Sequence, residues 1–391
     1  MKKLMKFAYI IALGVIMASC TNTVNTQSSV HSDSTYVDQY FTNFFARDCC
    51  GVTGADGLYS VPLPDGRVVW IFGDSFLGTV NPDGSREKRS PVFIRNAMAV
   101  QDGDSLRSLY NVIDGWESSL VIPPDAVKGT EFSEDSLWYW PGDGFVENDK
   151  LKVFMTGFYQ ADTGNWGFRW TNANIATFNL PDLKLESIDH FDYPGEVEIH
   201  WGHAICDDDP DYTYIYGAGD KYPYVARAPK GDILANWEFY TGENWVTDSR
   251  LAKPMTDFKG SEQFSVIKIN GKYVLLTQSG DFLASSLYSV TSDQPYAGWS
   301  NKKELWKLQP LVPAKDLFAY NPVAHPQFTE NNELLVSYCV NSFNLDDLFT
   351  DASKYRPVFI RVPIDEILDE SSLKTNKIKK VSFGTIFTFF N

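Results

Sequence analysis

Five polar residues stand at matching places along the chain: Asp56, Asp143, His203, Glu262 and His325. Each opens an apolar run that passes through a tight turn into a second, stronger apolar run. A further set ends those second runs: Asp74, Gln160, Asp220, Asp281 and Asn341. Carboxylates brought together from separate segments suit hydrolysis of a glycosidic bond. One protonated carboxyl donates to the leaving oxygen, while a second carboxylate activates water or attacks the anomeric carbon. Trp138, Tyr139, Trp140, Trp201, Phe258 and Tyr320 flank the same places and offer flat faces for stacking on sugars. Asp56, Asp74 and Glu262 are the candidate catalytic groups. Asp143, His203, His325, Trp140 and Trp201 are the candidate substrate-binding groups. Each has an ordinary alternative: a turn former for Asp56, a turn cap for Asp74, a solvated loop carboxylate for Glu262, a satisfied core histidine for His203 and His325.

The elements that position these residues are read from a repeat. The segments 54–74, 140–158, 201–220, 260–281 and 324–342 share one pattern, with a unit of about 60 residues. Their turns hold Asp65-Gly66, Asn148-Asp149, Asp209-Pro210, Asn270-Gly271 and Asn331-Asn332, all chemistry for tight hairpins. A weaker strand pair follows each hairpin, as in 172–180 with 183–189 and 224–229 with 237–242. A unit of this size with four antiparallel strands matches one propeller blade. The expected fold class is therefore all-β, a five-bladed β-propeller spanning 41–391. A pair of β-sandwich domains is the rival, and it leaves the recurring polar residue unexplained. In a propeller the first strands line a central channel, and the second strands return to the same mouth. Carboxylates crowded there should have at least one pKa raised, as a general acid requires. The longer first unit carries an inserted stretch, 79–92, placed to wall the opening.

Composition narrows the partners. The 391 residues are 43% hydrophobic, enough for a large core, and carry a net charge of -16. That charge repels phosphate backbones, so nucleic acid is not expected as a partner, whereas a neutral polysaccharide or oligosaccharide is unhindered. Cys49, Cys50, Cys206 and Cys339 form no disulfide framework and no CxxC pair, so no metal site and no cofactor are expected. Neighbouring Cys49 and Cys50 are expected to be poorly placed to bond to one another. The run Asp207-Asp208-Asp209-Pro210-Asp211 lacks the glycine and closing glutamate of a calcium loop and fits a solvated turn.

Two resemblances complete the reading. Lys2, Lys3 and Lys6, the apolar run 7–17 and the sequence Ile16-Met17-Ala18-Ser19-Cys20 resemble a bacterial lipoprotein signal. The resemblance implies a signal peptide over 1–19, lipidation of Cys20, a flexible tether over 20–40, and a protein held at the cell envelope through its N-terminal lipid. The five-unit pattern resembles the propeller glycosidases of glycoside hydrolase family 43. The stretch GADGLYSVPLPDGRVVWIFGDSFLG (54–78) also resembles a D-arabinan-degrading propeller family first catalogued as a domain of unknown function. The family-43 resemblance implies Asp56 as base, Glu262 as general acid and His325 beneath the sugar. The chain departs from that family at the third unit, where His203 replaces an aspartate, and Asp74 is the candidate to supply the missing carboxylate. The expected function is an exported glycoside hydrolase, with furanosides among the candidate substrates. The alternative is a glycan-binding propeller without catalysis. A sialidase is disfavoured by the absence of its repeated Ser-x-Asp turns and arginine cluster.

Overall fold

The computed structural model describes residues 34–87, 92–130, 133–164, 166–280, 286–312 and 315–368. The signal segment 1–19, Cys20, the tether as far as residue 33, Asp281 and the tail 381–390 lie outside the described residues. Strands dominate, and five antiparallel sheets carry the bulk of them. The first pairs Tyr59–Pro62, Val68–Phe72, Ala97–Asp102 and Ser105–Leu109 in sequence order. The second pairs Leu137–Glu147, Lys150–Gln160, Phe168–Asn179 and Leu185–Phe191. The third runs from His200–Cys206 through Tyr212–Gly219, Tyr222–Pro229 and Glu238–Tyr240 to Trp245–Val246. The fourth joins Ser265–Ile269, Lys272–Gln278, Ser286–Ser292 and Ser300–Lys307. The fifth joins Leu317–Glu330, Glu333–Ser342 and Val358–Pro363.

Local chemistry explains the hairpins. Asn148 and Asp149 both take positive φ (50° and 59°), as do Asn331 and Asn332 (50° and 62°). These are the backbone angles of the type I′ turn, whose twist matches that of the strands it joins. The second strand of each of these hairpins is largely buried, as in Leu334 to Val340.

Each sheet shares one apolar core with the next. Tyr59, Val69 and Ile71 of the first pack with Leu151, Val153 and Phe178 of the second. Phe154 and Ile175 meet Ile215, Trp237 and Phe239 of the third, and Tyr216 and Val225 meet Phe264 and Leu275 of the fourth. Val274 and Leu287 meet Val336 and Ile360 of the fifth, while Leu335 and Phe359 of the fifth meet Trp70 and Phe72 of the first. The first strands follow the same order, and Leu317–Glu330 touches Tyr59–Pro62. Burying both faces of every sheet in this way stabilises the fold at roughly 25 cal/mol per Å² of apolar surface.

The fifth sheet takes its outer strand from the opposite end of the chain. Tyr36–Val37 pairs antiparallel with Val358–Pro363, through Tyr36 with Arg361 and Val37 with Ile360. The last residues of the expected tether, 36–40, are thus built into the fold rather than free. Asp38 then caps the helix Gln39–Phe44 by accepting from the Phe41 amide at 2.9 Å. Its other oxygen takes the buried Arg361 guanidinium at 2.6 Å. Phe41 and Phe45 of this helix fill the core between the fifth and first sheets.

Cys49 and Cys50 correct the sequence expectation, because they are joined to each other in a disulfide. Positive φ at Cys50 (68°) and Gly51 (130°) folds the backbone into the tight turn that permits it. Cys206 and Cys339 are free and buried, as core residues. A small extra sheet of Val52–Ala55, Ser75–Leu77 and Phe93–Ile94 and a hairpin of Asn111–Ile113 with Trp116–Ser118 account for the longer first unit.

Arg361→Ala leaves the Asp38 carboxylate buried and uncompensated, which costs about 3–5 kcal/mol. Urea denaturation near neutral pH is expected to show that loss. A change below about 0.5 kcal/mol means that the N-terminal strand does not depend on this ion pair.

Candidate active site

Asp56 lies just ahead of the first strand of the first sheet, and Asp74 just past the end of its partner strand. Their backbones pair directly, with the Asp56 amide donating to the Asp74 carbonyl at 3.2 Å and the Gly73 amide to the Asp56 carbonyl at 2.9 Å. Both side chains face a cavity of about 1450 Å³. Trp138, Trp140, Phe158, Phe168, His200, His203, Glu262 and Tyr320 line the same cavity, together with Gln160 and Asn341 from the ends of second strands. Asp56, Asp74, His203, Glu262 and Trp140, picked from the sequence for chemistry, therefore meet in one place.

Three other picks do not line it. Asp143 sits in the middle of Leu137–Glu147 and accepts from the Gly144 amide at 2.8 Å and the Ile205 amide at 2.9 Å. It stitches the second sheet to the third. Burial pushes its carboxyl up to about 7, against the pull of those two amides. His325 is completely buried, held between the Ser60 and Ser337 hydroxyls at 2.6 and 2.8 Å and packed on Trp70. Burial pushes its imidazole down to about 3, so it is a neutral core histidine. Trp201 packs between Trp237 and Phe239 in the core. The described part of the inserted stretch 79–92 also lines no part of the cavity; Arg86 is instead buried against Thr53.

The two aspartates receive unequal electrostatic support. Burial pushes Asp56 up to about 7, and the nearby charge of Asp74 adds to the shift. Its opposing partners are neutral hydroxyls: Tyr320 donates at 2.5 Å, and Tyr355 also hydrogen-bonds to it. Asp74 is raised by burial too, but Arg95 and Trp140 counter it. The Trp140 indole donates to Oδ1 at 2.7 Å, and the Arg95 guanidinium lies 3.4 Å from the carboxylate. Arg95 is itself fixed over the Trp138 ring. A proton shared by this pair therefore resides on Asp56, and the negative charge on Asp74.

Glu262 presents the opposite case. Some 48% of its side chain is open to the cavity, although protein encloses the cavity wall around it. Enclosure alone would raise its pKa, but His200 and His203 override this and hold the carboxylate well below its usual range. His200 Nδ1 and His203 Nε2 both contact Glu262 Oε1, the second at 3.0 Å. His200 also bonds Glu198 through Nε2 at 2.9 Å. Burial works against its charge, yet the two glutamates push its pKa up to about 10. The general-acid role that the family-43 resemblance implies for Glu262 needs a protonated carboxyl, and these imidazoles keep it ionised.

A strand alternates its side chains, so residues 200 and 203 should face opposite ways. A register shift between Trp201 and Ala204 removes that conflict, with Gly202 at φ +96°. A bulge of this kind re-aims a side chain. His200, Arg95 and Tyr355 escaped the sequence reading. The glycine in Trp201-Gly202-His203 was the available signal for the first, since a strand-interior glycine marks a bulge. Arg95 and Tyr355 stand outside the recurring pattern and gave no signal.

Only glycine fits at position 202, because a Cβ there would collide with the Phe154 ring. Gly202→Ala is expected to cost about 1–3 kcal/mol through overpacking, plus ~1–2 kcal/mol for a positive φ. Chemical denaturation measures it, and a variant as stable as the parent refutes the bulge.

Among solved structures, the chain is similar to a Bacteroides ovatus ATCC 8483 protein described provisionally as a hydrolase. The TM-score is 0.75 at 23% identity, over 86% of this chain and 92% of that one. That likeness establishes a common fold. A glycoside hydrolase family 43 enzyme from Xanthomonas citri, complexed with xylotriose, matches with a TM-score of 0.45 at 14% identity. It covers 82% of this chain and 92% of its own. An α-L-arabinanase mutant from Cellvibrio cellulosa gives 0.42 and 12%, over 79% of this chain and 91% of its own. No curated protein matches the sequence. Residues 38–375 match the domain of unknown function DUF5005, and the chain belongs to that family.

Proposed function

We propose that this protein is a glycoside hydrolase in which Asp56 is the general acid and Asp74 the ionised carboxylate. The observation that carries the reading is the unequal support of two backbone-paired aspartates in one cavity lined by aromatic rings. Asp56 donates its proton to the glycosidic oxygen as the bond to the anomeric carbon breaks. Asp74 takes the proton of the water that supplies the new hydroxyl, or first attacks the anomeric carbon itself. Trp140, Trp166 and Phe168 line the cavity without being buried and offer apolar faces to a sugar, and the cavity holds several sugar residues at once. The five sheets, with shared cores and first strands in mutual contact, are read as blades of a five-bladed β-propeller. The residues around Cys20 support export and a lipid anchor at the cell envelope. Xylotriose in the family-43 neighbour and the arabinanase activity of another make pentose polymers the first substrates to try.

Arabinan, xylan and mannan form the assay panel. On the substrate that is cleaved, Asp56→Asn and Asp74→Asn should each lower kcat by ~10²–10⁴-fold. Product release equal to wild type in both variants removes the assignment, and sugar binding without turnover points to a glycan-binding protein instead.

The pH dependence follows from the sign of the Asp56 shift. Its pKa rises on folding from 3.8 to about 7, so the acid is competent below about 7 and is lost above it. The same shift favours the folded state below 3.8 and ceases to do so as pH rises through about 7. Asp56→Asn should therefore be inactive yet more thermostable than wild type at alkaline pH. An alkaline limb unrelated to Asp56, or a variant less stable at alkaline pH, contradicts this picture.

A further inference from the structure

The bulge at Gly202 does more than turn one histidine. It sets two imidazoles from one strand against a single carboxylate oxygen from the segment ahead of the next sheet. His200 Nδ1, His203 Nε2 and a Glu262 oxygen lie within 4.8 Å of one another, and all three residues line the cavity. Tetrahedral zinc with bonds of about 2.0–2.2 Å separates its ligand atoms by about 3.3 Å, so small side-chain rotations suffice to admit an ion.

The outer contacts match what a metal-binding histidine needs. Such a histidine donates its second ring nitrogen to a carboxylate or another polar group, which fixes its orientation and raises its basicity. His200 Nε2 meets the Glu198 carboxylate at 2.9 Å, and His203 Nδ1 meets the Tyr59 hydroxyl at 3.4 Å. The Trp170 ring stacks on the His200 ring with centroids 5.9 Å apart, limiting its rotation. An ion pair alone requires one histidine on one glutamate; here two imidazoles converge and each has a separate outer partner.

We propose that His200, His203 and Glu262 form a binding site for a divalent first-row metal ion, with Zn²⁺ the best fit. Two imidazoles and one carboxylate favour zinc and its neighbours over calcium or magnesium, which take oxygen-rich shells. Three protein ligands leave a fourth position open towards the cavity, for water or a substrate hydroxyl. The ion takes the place of the proton now shared between His200 and Glu262. The absence of CxxC pairs does not bear on such a site, because it uses no cysteine. The proposal is independent of the hydrolase reading, which runs through Asp56 and Asp74.

The test is calorimetric titration of chelator-treated protein with Zn²⁺, without any sugar, alongside visible spectroscopy with Co²⁺. One equivalent of zinc is expected, with a rise in Tm that grows with zinc concentration, and cobalt should give the intense bands of a tetrahedral site. His200→Ala and Glu262→Gln should each weaken zinc binding by at least about 100-fold, and Glu198→Gln by about 10–100-fold. Asp56→Asn should bind zinc as the parent does, even where it abolishes sugar cleavage. Zinc binding that survives both His200→Ala and Glu262→Gln overturns the proposal. So does a wild-type protein without one-equivalent binding or without tetrahedral cobalt bands, readouts that hold even should a variant fail to fold.

Discussion

Carboxylates cannot be gathered around one enclosed opening without something to hold their charge. Coulomb repulsion grows as protein replaces water between them, and each ionised oxygen loses solvation. In this molecule Asp56, Asp74 and Glu262 each meet that cost differently. Asp74 has a guanidinium and an indole N–H, while Glu262 has two imidazoles. Asp56 has hydroxyl groups, which stabilise an anion less than a full positive charge does, and it therefore retains its proton to about 7. The division of labour within the cavity follows from who stands beside whom. Asp143 shows that a raised pKa by itself is not a site: it reaches a similar value while bonding the amides of two sheets away from the cavity.

The backbone supplies these partners through departures from regular strand geometry. Register shifts interrupt the first strands of three sheets, between Pro141 and Gly144, Trp201 and Ala204, and Tyr320 and Val323. Each adjoins or contains a residue that lines the cavity: Pro141, His203 and Tyr320. Trp140 reaches Asp74, the His200–His203 pair reaches Glu262, and Tyr320 reaches Asp56 from the edges of these irregularities. A uniformly pleated strand would direct alternate side chains away from the cavity and into the cores between sheets. The bulges trade ladder hydrogen bonds for convergence.

The sheets and hairpins were legible in the sequence because period-two alternation and turn residues are local signals. Asn148-Asp149 and Asn331-Asn332 mark turns whatever surrounds them. The repeat also located Asp56, Asp74 and Glu262 near the cavity, since these lie at strand ends where the pattern begins or stops. It misplaced Asp143 and His325 for a physical reason. Their strands, Leu137–Glu147 and Leu317–Glu330, start several residues earlier than the aligned position, so the matching residue lies deep in the sheet. His325 is consequently enclosed by Trp70 and two serines, where a charged imidazole would be unsolvated. Arg95 was invisible because it lies between two strands of the first unit, outside the recurring pattern. The edge strand Tyr36–Val37 was hidden because two residues carry no period.

The cavity joins two electrostatically different groups. An aspartate pair holds a proton that ionises near neutrality, and a glutamate is kept anionic by imidazoles. Neither arrangement stabilises the fold by itself, because desolvation offsets most of what pairing returns. The apolar cores between neighbouring sheets must supply the surplus, and their near-complete burial of residues such as Phe154, Tyr216, Leu276 and Phe359 does so. The helix Gln39–Phe44 and Phe45 after it add to that surplus: Phe41 and Phe45 pack with residues of the fifth and first sheets, and Tyr320 of the fifth sheet reaches Asp56 beside the first. Tyr320 of the fifth sheet thus pulls against the burial and the Asp74 charge that together raise the proton affinity of Asp56.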